Sequence, residues 1–190
     1  ILRNYMAKNL QIALGVVVIL ALVYLFNENR QKKYTVKETS VFNLNQDKLY
    51  SFKITTPRDS IIISRIDSTW EIVGVDTLNI KQQSIDTFFD KVLNVKKGTL
   101  ISNNKEKWSI YSVHDTNSIH LTLLDKEVND IGSYYIGQSK SNYANNYIRT
   151  EDDDNVYLTS ENISYYLRPI ATYWGEKPAV EVPADSTSIN

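Results

Sequence analysis

The sequence predicts an α+β fold in which an N-terminal single transmembrane helix precedes a mainly antiparallel sheet with one longer amphipathic helix and short helices. Three observations lead there. One apolar run near the N-terminus stands apart from an otherwise polar chain. Period-two alternation of apolar and polar residues recurs between positions 49 and 159, broken by turn residues. A single stretch, "NIKQQSIDTFFDKVLNV", changes to a helical period. Strands and helices that segregate in this way suit an antiparallel α+β layer better than a parallel sheet.

The apolar run is "LQIALGVVVILALVYLF", Leu10 to Phe26, seventeen residues without a charge. A bilayer's hydrocarbon core takes about 20 apolar residues of helix, with a range of roughly 17–25. Apolar residues surround the expected helix instead of forming a stripe, unlike the surface helix of a soluble domain. Tyr24 and Phe26 fall where an aromatic belt sits. The run leaves through "YLFNE", without the small residues of a cleavage site, so an uncleaved anchor is expected. Met6 is the single methionine and a candidate start. Basic residues flank both ends (Arg3 and Lys8 before, Arg30, Lys32, Lys33 and Lys37 after), so charge bias leaves the orientation open. Ala13, Gly15 and Ala21 are small and permit close approach of another membrane helix.

Three segments then read as a meander: "LYSFKIT" (49–55), "SIIISRI" (60–66) and "WEIV" (70–73). In the first, Tyr50, Phe52 and Ile54 share one face. In the helical stretch Ile85, Phe88, Phe89, Val92 and Leu93 form an apolar face over 79–95. Asn79 is its expected N-cap, and Lys96-Lys97-Gly98 its expected end. "GTLIS" resumes a strand, and "NNKEKWSIY" forms one helical turn around Trp108. "SIHLTLLD" with "IGSYYIGQ", and "NYIRT" with "VYLTS", form two hairpins. "SENISYYLRP" is a short helix capped by Ser160 and stopped by Pro169. Residues 1–33 are therefore an anchor with its basic flank, 34–174 an α+β domain, and 175–190 an extended tail.

Composition excludes several chemistries. With no cysteine there is no disulfide, zinc-thiolate site or thiol nucleophile. The net charge is −1, and residues 1–33 carry five basic groups and one acid, which leaves the rest at −5. An acidic domain lacks the footprint of a nucleic-acid binder. No P-loop, G-x-G-x-x-G, H-E-x-x-H or G-x-S-x-G occurs.

The residues left for chemistry are few. His114 lies in the polar loop "VHDTN" and His120 in the strand "SIHLTLL"; two histidines without a motif are expected to be a loop and a strand residue. "EDDD" (Glu151 to Asp154) lacks the glycine and distal glutamate of a calcium loop and reads as a solvated hairpin tip. No catalytic residue, metal ligand or cofactor site is expected. Tyrosine is the more informative type: eight of thirteen fall between Tyr134 and Tyr173. Adjacent Tyr134 and Tyr135 must face opposite sides of a strand, so part of this set is exposed unless both faces are covered. Tyr134, Tyr135, Tyr143, Tyr147, Tyr173 and Trp174 are the candidate partner-binding residues, because such side chains combine large apolar area with a polar tip.

The order "VFNLNQDKLYSFKI", "WEI", "IDTFFDKVLNV", "KWSIYSV", "IHLTLLD", "YYIGQ", "NYIRT", "VYLTS", "YYLRP" resembles a bacterial family of unknown-function domains associated with ABC-transporter auxiliary proteins of the gliding-motility type. The resemblance covers about residues 40–175 and rests on the order of short motifs. Trp70, Tyr111, Gly137 and Tyr147 fall at its recurrent aromatic and glycine positions. It implies a single-pass protein of the inner membrane with a periplasmic domain, and it supplies no catalytic residues to carry over. The expected function is a non-enzymatic accessory subunit of a membrane protein complex, an ABC-type transport system being the best candidate. Its partners would be the lipid bilayer through residues 10–26 and integral membrane or extracytoplasmic proteins. An anchored glycan or cell-wall binder and a hydrolase without a recognisable motif are the alternatives.

Overall fold

The structure is a computed structural model that describes residues 15–21, 39–140 and 142–178. The chain divides into two units, Ile1–Lys37 and Glu38–Asn190. In the first, residues 15–21 form helix α1, with every side chain exposed. The rest of the expected span, 10–14 and 22–26, and Ala13 with it, lies outside the described residues. Among the described residues no helix is long and apolar enough to cross a membrane.

The second unit is built on an antiparallel sheet. Its strands are β1 (Thr39–Ser40), β2 (Ser51–Thr55), β3 (Ser60–Ile66), β4 (Thr69–Ile72), β6 (Lys96–Ser102), β7 (Ile119–Leu124), β8 (Asp130–Gln138), β9 (Asn146–Thr150) and β10 (Val156–Thr159). They lie in the order β1-β6-β10-β9-β8-β7-β2-β3-β4. The expected meander is β2-β3-β4, and the expected hairpins are β7-β8 and β9-β10. Two short strands, β5 (Asn79–Ile80) and β11 (Gly175–Glu176), form a separate ribbon. The first two residues of the stretch read as tail are thus paired into the fold.

Alternation along the strands fixes which side chains meet. Ile61 of β3, Ile54 of β2, Leu121 of β7 and Tyr134 of β8 are successive cross-strand neighbours, as are Ile63, Phe52 and Leu123. These rows are buried and form the floor of the main core. Helix α2 (Gln82–Thr87), continued by a π-helical turn (Phe88–Val92), lies on this floor through Ile85, Phe88 and Val92. The rings of Phe52 and Phe88 stack at 4.0 Å. Trp174, at the end of helix α3 (Ala171–Trp174), is fully buried beside both. Burying such a ring is worth about 3–5 kcal/mol as judged by truncation. The start of α2 also satisfies the carbonyls that end α3: Lys81 N–H donates to Trp174 O at 2.7 Å, Lys81 Nζ to Thr172 O at 2.7 Å, and Ser84 Oγ to Tyr173 O at 2.9 Å.

Three local expectations are corrected. Asn79 does not cap the helix, because Asn79 and Ile80 are paired with Glu176 and Gly175, and the helix starts three residues later. Lys96-Lys97-Gly98 does not end it either; those residues open β6, where Lys96 and Lys97 pair with Ser40 and Thr39. Ser160 is no cap: its hydroxyl accepts from Lys96 N–H at 3.1 Å, and the short turn that follows is the 3-10 segment Ser164–Tyr166.

Candidate functional site at the second face of the sheet

Between β6 and β7 the chain crosses the sheet face opposite α2. Asn104 starts this crossing by accepting from Glu106 N–H at 2.9 Å, which caps the 3-10 turn Lys105–Lys107 and delivers Trp108 to the sheet. The chain can pass over β8 because residue 137 is glycine. A Cβ there would collide with the carbonyl oxygen of Tyr111 and stand 2.7 Å from that of Ser112. Ser112 itself adopts a left-handed backbone, with φ of 55°. Such strain costs on the order of 1–3 kcal/mol and persists where surrounding structure imposes it.

Under this crossing lies a column of planar side chains. Thr55, His120, Tyr135 and Arg149 are successive cross-strand neighbours on β2, β7, β8 and β9. His120 stacks flat on Tyr135, with centroids 4.3 Å apart and planes 2° from parallel. The Arg149 guanidinium sits 3.8 Å from the Tyr135 ring and 3.7 Å from the Trp108 ring. Its Nε donates to Val113 O at 2.8 Å, Nη1 to Thr150 O at 3.2 Å and Nη2 to Asp115 Oδ1 at 3.2 Å. The Arg149 side chain is 3 % exposed, whereas Asp115 is 66 % exposed. A charge so enclosed needs its donors satisfied, and the crossing loop supplies two of the three acceptors. Tyr111 and Tyr147 pack edge to face beside it at 4.9 Å.

Electrostatics follow from this enclosure. Burial lowers the pKa of His120 from its ordinary value of 6.5, and Arg149 pushes the same way; Glu151, Asp115 and Asp130 oppose them. His120 is thereby held neutral, with its Nε2 buried and without a partner. Burial also raises the pKa of Tyr135 and lowers that of Arg149. The arrangement pins loop to sheet. With its side chain 3 % exposed between Trp108 and Tyr135, Arg149 presents almost no surface to an incoming anion.

The residues singled out from sequence are dispersed. His114 bonds Thr116 through Nδ1 at 3.1 Å in the loop, away from the column that holds His120. "EDDD" sits at the β9–β10 tip, where Asp154 pairs with Lys105 at 3.0 Å, its carbonyl accepts from Trp108 Nε1 at 3.2 Å, and Asp153 caps Asn155 N–H at 3.0 Å. Among the described residues no group of three or more His, Asp or Glu side chains is placed to hold a metal. The aromatic candidates do not make one docking face. Trp174 belongs to the core; Tyr134 packs there against Phe42 at 4.5 Å, and Tyr135 is buried on the opposite face. Both faces are covered, which the pattern of adjacent tyrosines does not reveal. Tyr147 and Tyr173 are half-buried, and Tyr143 is exposed. Gly15 and Ala21 lie on α1, exposed.

Two positions missed in the sequence prove central. Asn146 and Arg149 both lie on the expected strand "NYIRT", and nothing in its pattern singles them out. Asn146 is fully buried: it donates from Nδ2 to Gly137 O at 3.1 Å and accepts from Ile163 N–H at 2.7 Å. The available signal was the run "NNYIRT", which places both on the strand that follows two tyrosine-bearing segments.

No curated protein and no solved structure gives a significant match to the chain. A family profile does match residues 70–188, which takes in all but the first residue of β4, the α2 layer, the crossing loop, His120, Tyr135 and Arg149 of the column, and both hairpins. The chain belongs to that family, described as Domain of unknown function (DUF4340).

Proposed function

We propose that this protein is a non-enzymatic, membrane-anchored accessory subunit of a bacterial membrane protein complex, with an ABC-type transport system as the first candidate. The observation that carries the reading is α1. Val16, Val17, Val18, Ile19 and Leu20 are each 51–63 % exposed, and they point to all sides of the helix. Such a surface is costly in water at about 25 cal/mol per Å² and needs lipid or other helices around it. The uncharged run Leu10–Phe26 supports the same reading. So does the resemblance to domains associated with transporter auxiliary proteins, which also favours a periplasmic domain.

The test is gentle extraction from native membranes. The full chain should resist alkaline carbonate, and in mild detergent it should migrate with an integral membrane protein, while a chain beginning at Tyr34 should lose most of this association. Release by carbonate, or migration as a lone monomer with no partner recovered by crosslinking, would overturn the proposal.

A further inference from the structure

The main sheet ends at β4, and a cleft of about 440 Å³ runs along that edge. The edge is open because the chain turns away after it. Val75 N–H donates to Ile72 O at 3.1 Å across a turn whose Gly74 takes a φ of 78°, the left-handed value such a turn requires. The residues that follow pair with β11 through Asn79 and Ile80, not with β4, and form the far wall of the cleft. Register decides which backbone groups of β4 face the cleft. Val73 N–H donates to Ile62 O at 2.9 Å, so Glu71 also turns its N–H and C=O toward β3, and Trp70 turns both the other way. Among the described residues neither backbone group of Trp70 has a partner. The side chains of Trp70, Val75, Leu78 and Ile80 give the cleft a half-buried apolar lining. Its charged lining residues are Glu71 and Asp76, both exposed, and among the described residues neither forms an ion pair. Arg65, opposite Trp70 on β3, lies outside the lining.

From this geometry we infer that the cleft takes an extended segment of a partner protein, alternating apolar and basic residues, which adds a strand to β4. In strand addition, main-chain hydrogen bonds give affinity and pockets for alternate side chains give specificity. Trp70 N–H and C=O offer a pair of such bonds to one residue of the segment. Every second side chain then lies on the face that carries α2, where Trp70 meets Phe89 at 5.9 Å. Apolar residues suit that face. The others lie on the face of Glu71, where a lysine or arginine is attracted and a carboxylate is repelled. Charge also selects among occupants. The β4 of a second copy brings another Glu71, and the chain's own "AVEV" (179–182) brings Glu181. Each adds a carboxylate beside Glu71 and Asp76, which a basic segment does not. This inference rests on the accessory-subunit reading and names the chemistry of one partner contact. Recovery of an integral membrane partner without peptide binding would leave that reading standing and remove only this site.

The experiment is titration of the full chain, in a detergent with an uncharged headgroup, with three capped heptapeptides. One alternates lysine and valine, one alternates glutamate and valine, and one is the lysine peptide with its valine nitrogens methylated. Calorimetry reads affinity, and amide hydrogen exchange reads the edge. Saturable one-to-one binding of the lysine peptide is expected, about tenfold tighter than that of the other two. Binding should slow exchange at the Trp70 amide and leave that of Val73, already bonded to β3, unchanged. The double variant Glu71→Lys, Asp76→Lys should keep its thermal midpoint, since both side chains are exposed and unpaired, and should prefer the glutamate peptide. No saturable binding, equal binding of the two charge forms, or binding without protection of Trp70 would each overturn the inference. A Trp70 amide already protected in the free chain would overturn it too. Loss of that protection on deleting residues 179–190 would then assign the edge to the tail, and its growth with protein concentration would assign it to a second copy.

Discussion

Gly137 and His120 show how single residues set the second face of the sheet. At Gly137 the requirement is space, because the carbonyls of Tyr111 and Ser112 occupy the volume a methyl group would take. Overpacking of a well-filled site costs about 1–3 kcal/mol, and here the obstructing atoms are backbone. Gly137→Ala should therefore destabilise by at least that much and displace the crossing loop, seen as a lower thermal midpoint with altered Trp108 fluorescence. At His120 the requirement is neutrality, since burial and the Arg149 cation disfavour protonation more than Glu151, Asp115 and Asp130 favour it. Its folded pKa lies below the ordinary 6.5, so below neutral pH the unfolded chain binds the proton more readily. Stability from the neutral ring is then fully present above about 6.5 and is lost as pH falls through the lower folded value. Denaturant titrations between pH 7.5 and 5 should show this slope, and His120→Phe should flatten it. An unchanged slope in the variant would place the titration elsewhere.

At the level of elements, β3 and the two hairpins were legible because one face of each strand carries a regular apolar series, as in Ile61 and Ile63, or Leu121 and Leu123. Such a series has one register that buries it. The helix was legible in kind but not in extent. Ile85, Phe88 and Val92 do face the core as their spacing requires, yet only six residues are α-helical before a π turn widens the chain. Leu93 N–H bonds to Phe88 O at 3.1 Å, a five-residue reach that sequence periodicity does not encode. The helix start was hidden for a different reason: Asn79 and Ile80 are claimed by β11, some ninety-five residues away. Phe88 stacks on Phe52 and meets Trp174, so Phe88→Ala should cost about 3–5 kcal/mol in chemical denaturation. A wild-type midpoint would mean that the aromatic contact between α2 and the sheet does not support the core.

For the molecule as a whole, sequence order fails to give sheet order where distant strands meet. β6 lies between β1 and β10, and neither neighbour is next to it in the chain. The two-sided burial of Tyr134 and Tyr135 follows from a loop that alternation cannot foresee, and so does the capture of Arg149. The same crossing engages the acidic tip: Lys105 pairs with Asp154, whose carbonyl accepts from Trp108 Nε1. EDTA, or added calcium, should accordingly leave the thermal midpoint of the full chain unchanged, and a rise of several degrees with calcium would show a site where the carboxylates are now assigned to turns and a salt bridge. The central claim remains that an apolar helix and a folded domain act together within one membrane complex. It is tested most directly by placing a photo-crosslinking residue at Gly15 or Ala21 of α1, and separately at the exposed Tyr143, in native membranes. The account predicts that the helix positions capture an integral membrane protein and that Tyr143 captures a subunit of the same complex. Adducts to lipid alone from the helix, with no protein adduct from Tyr143, would contradict it.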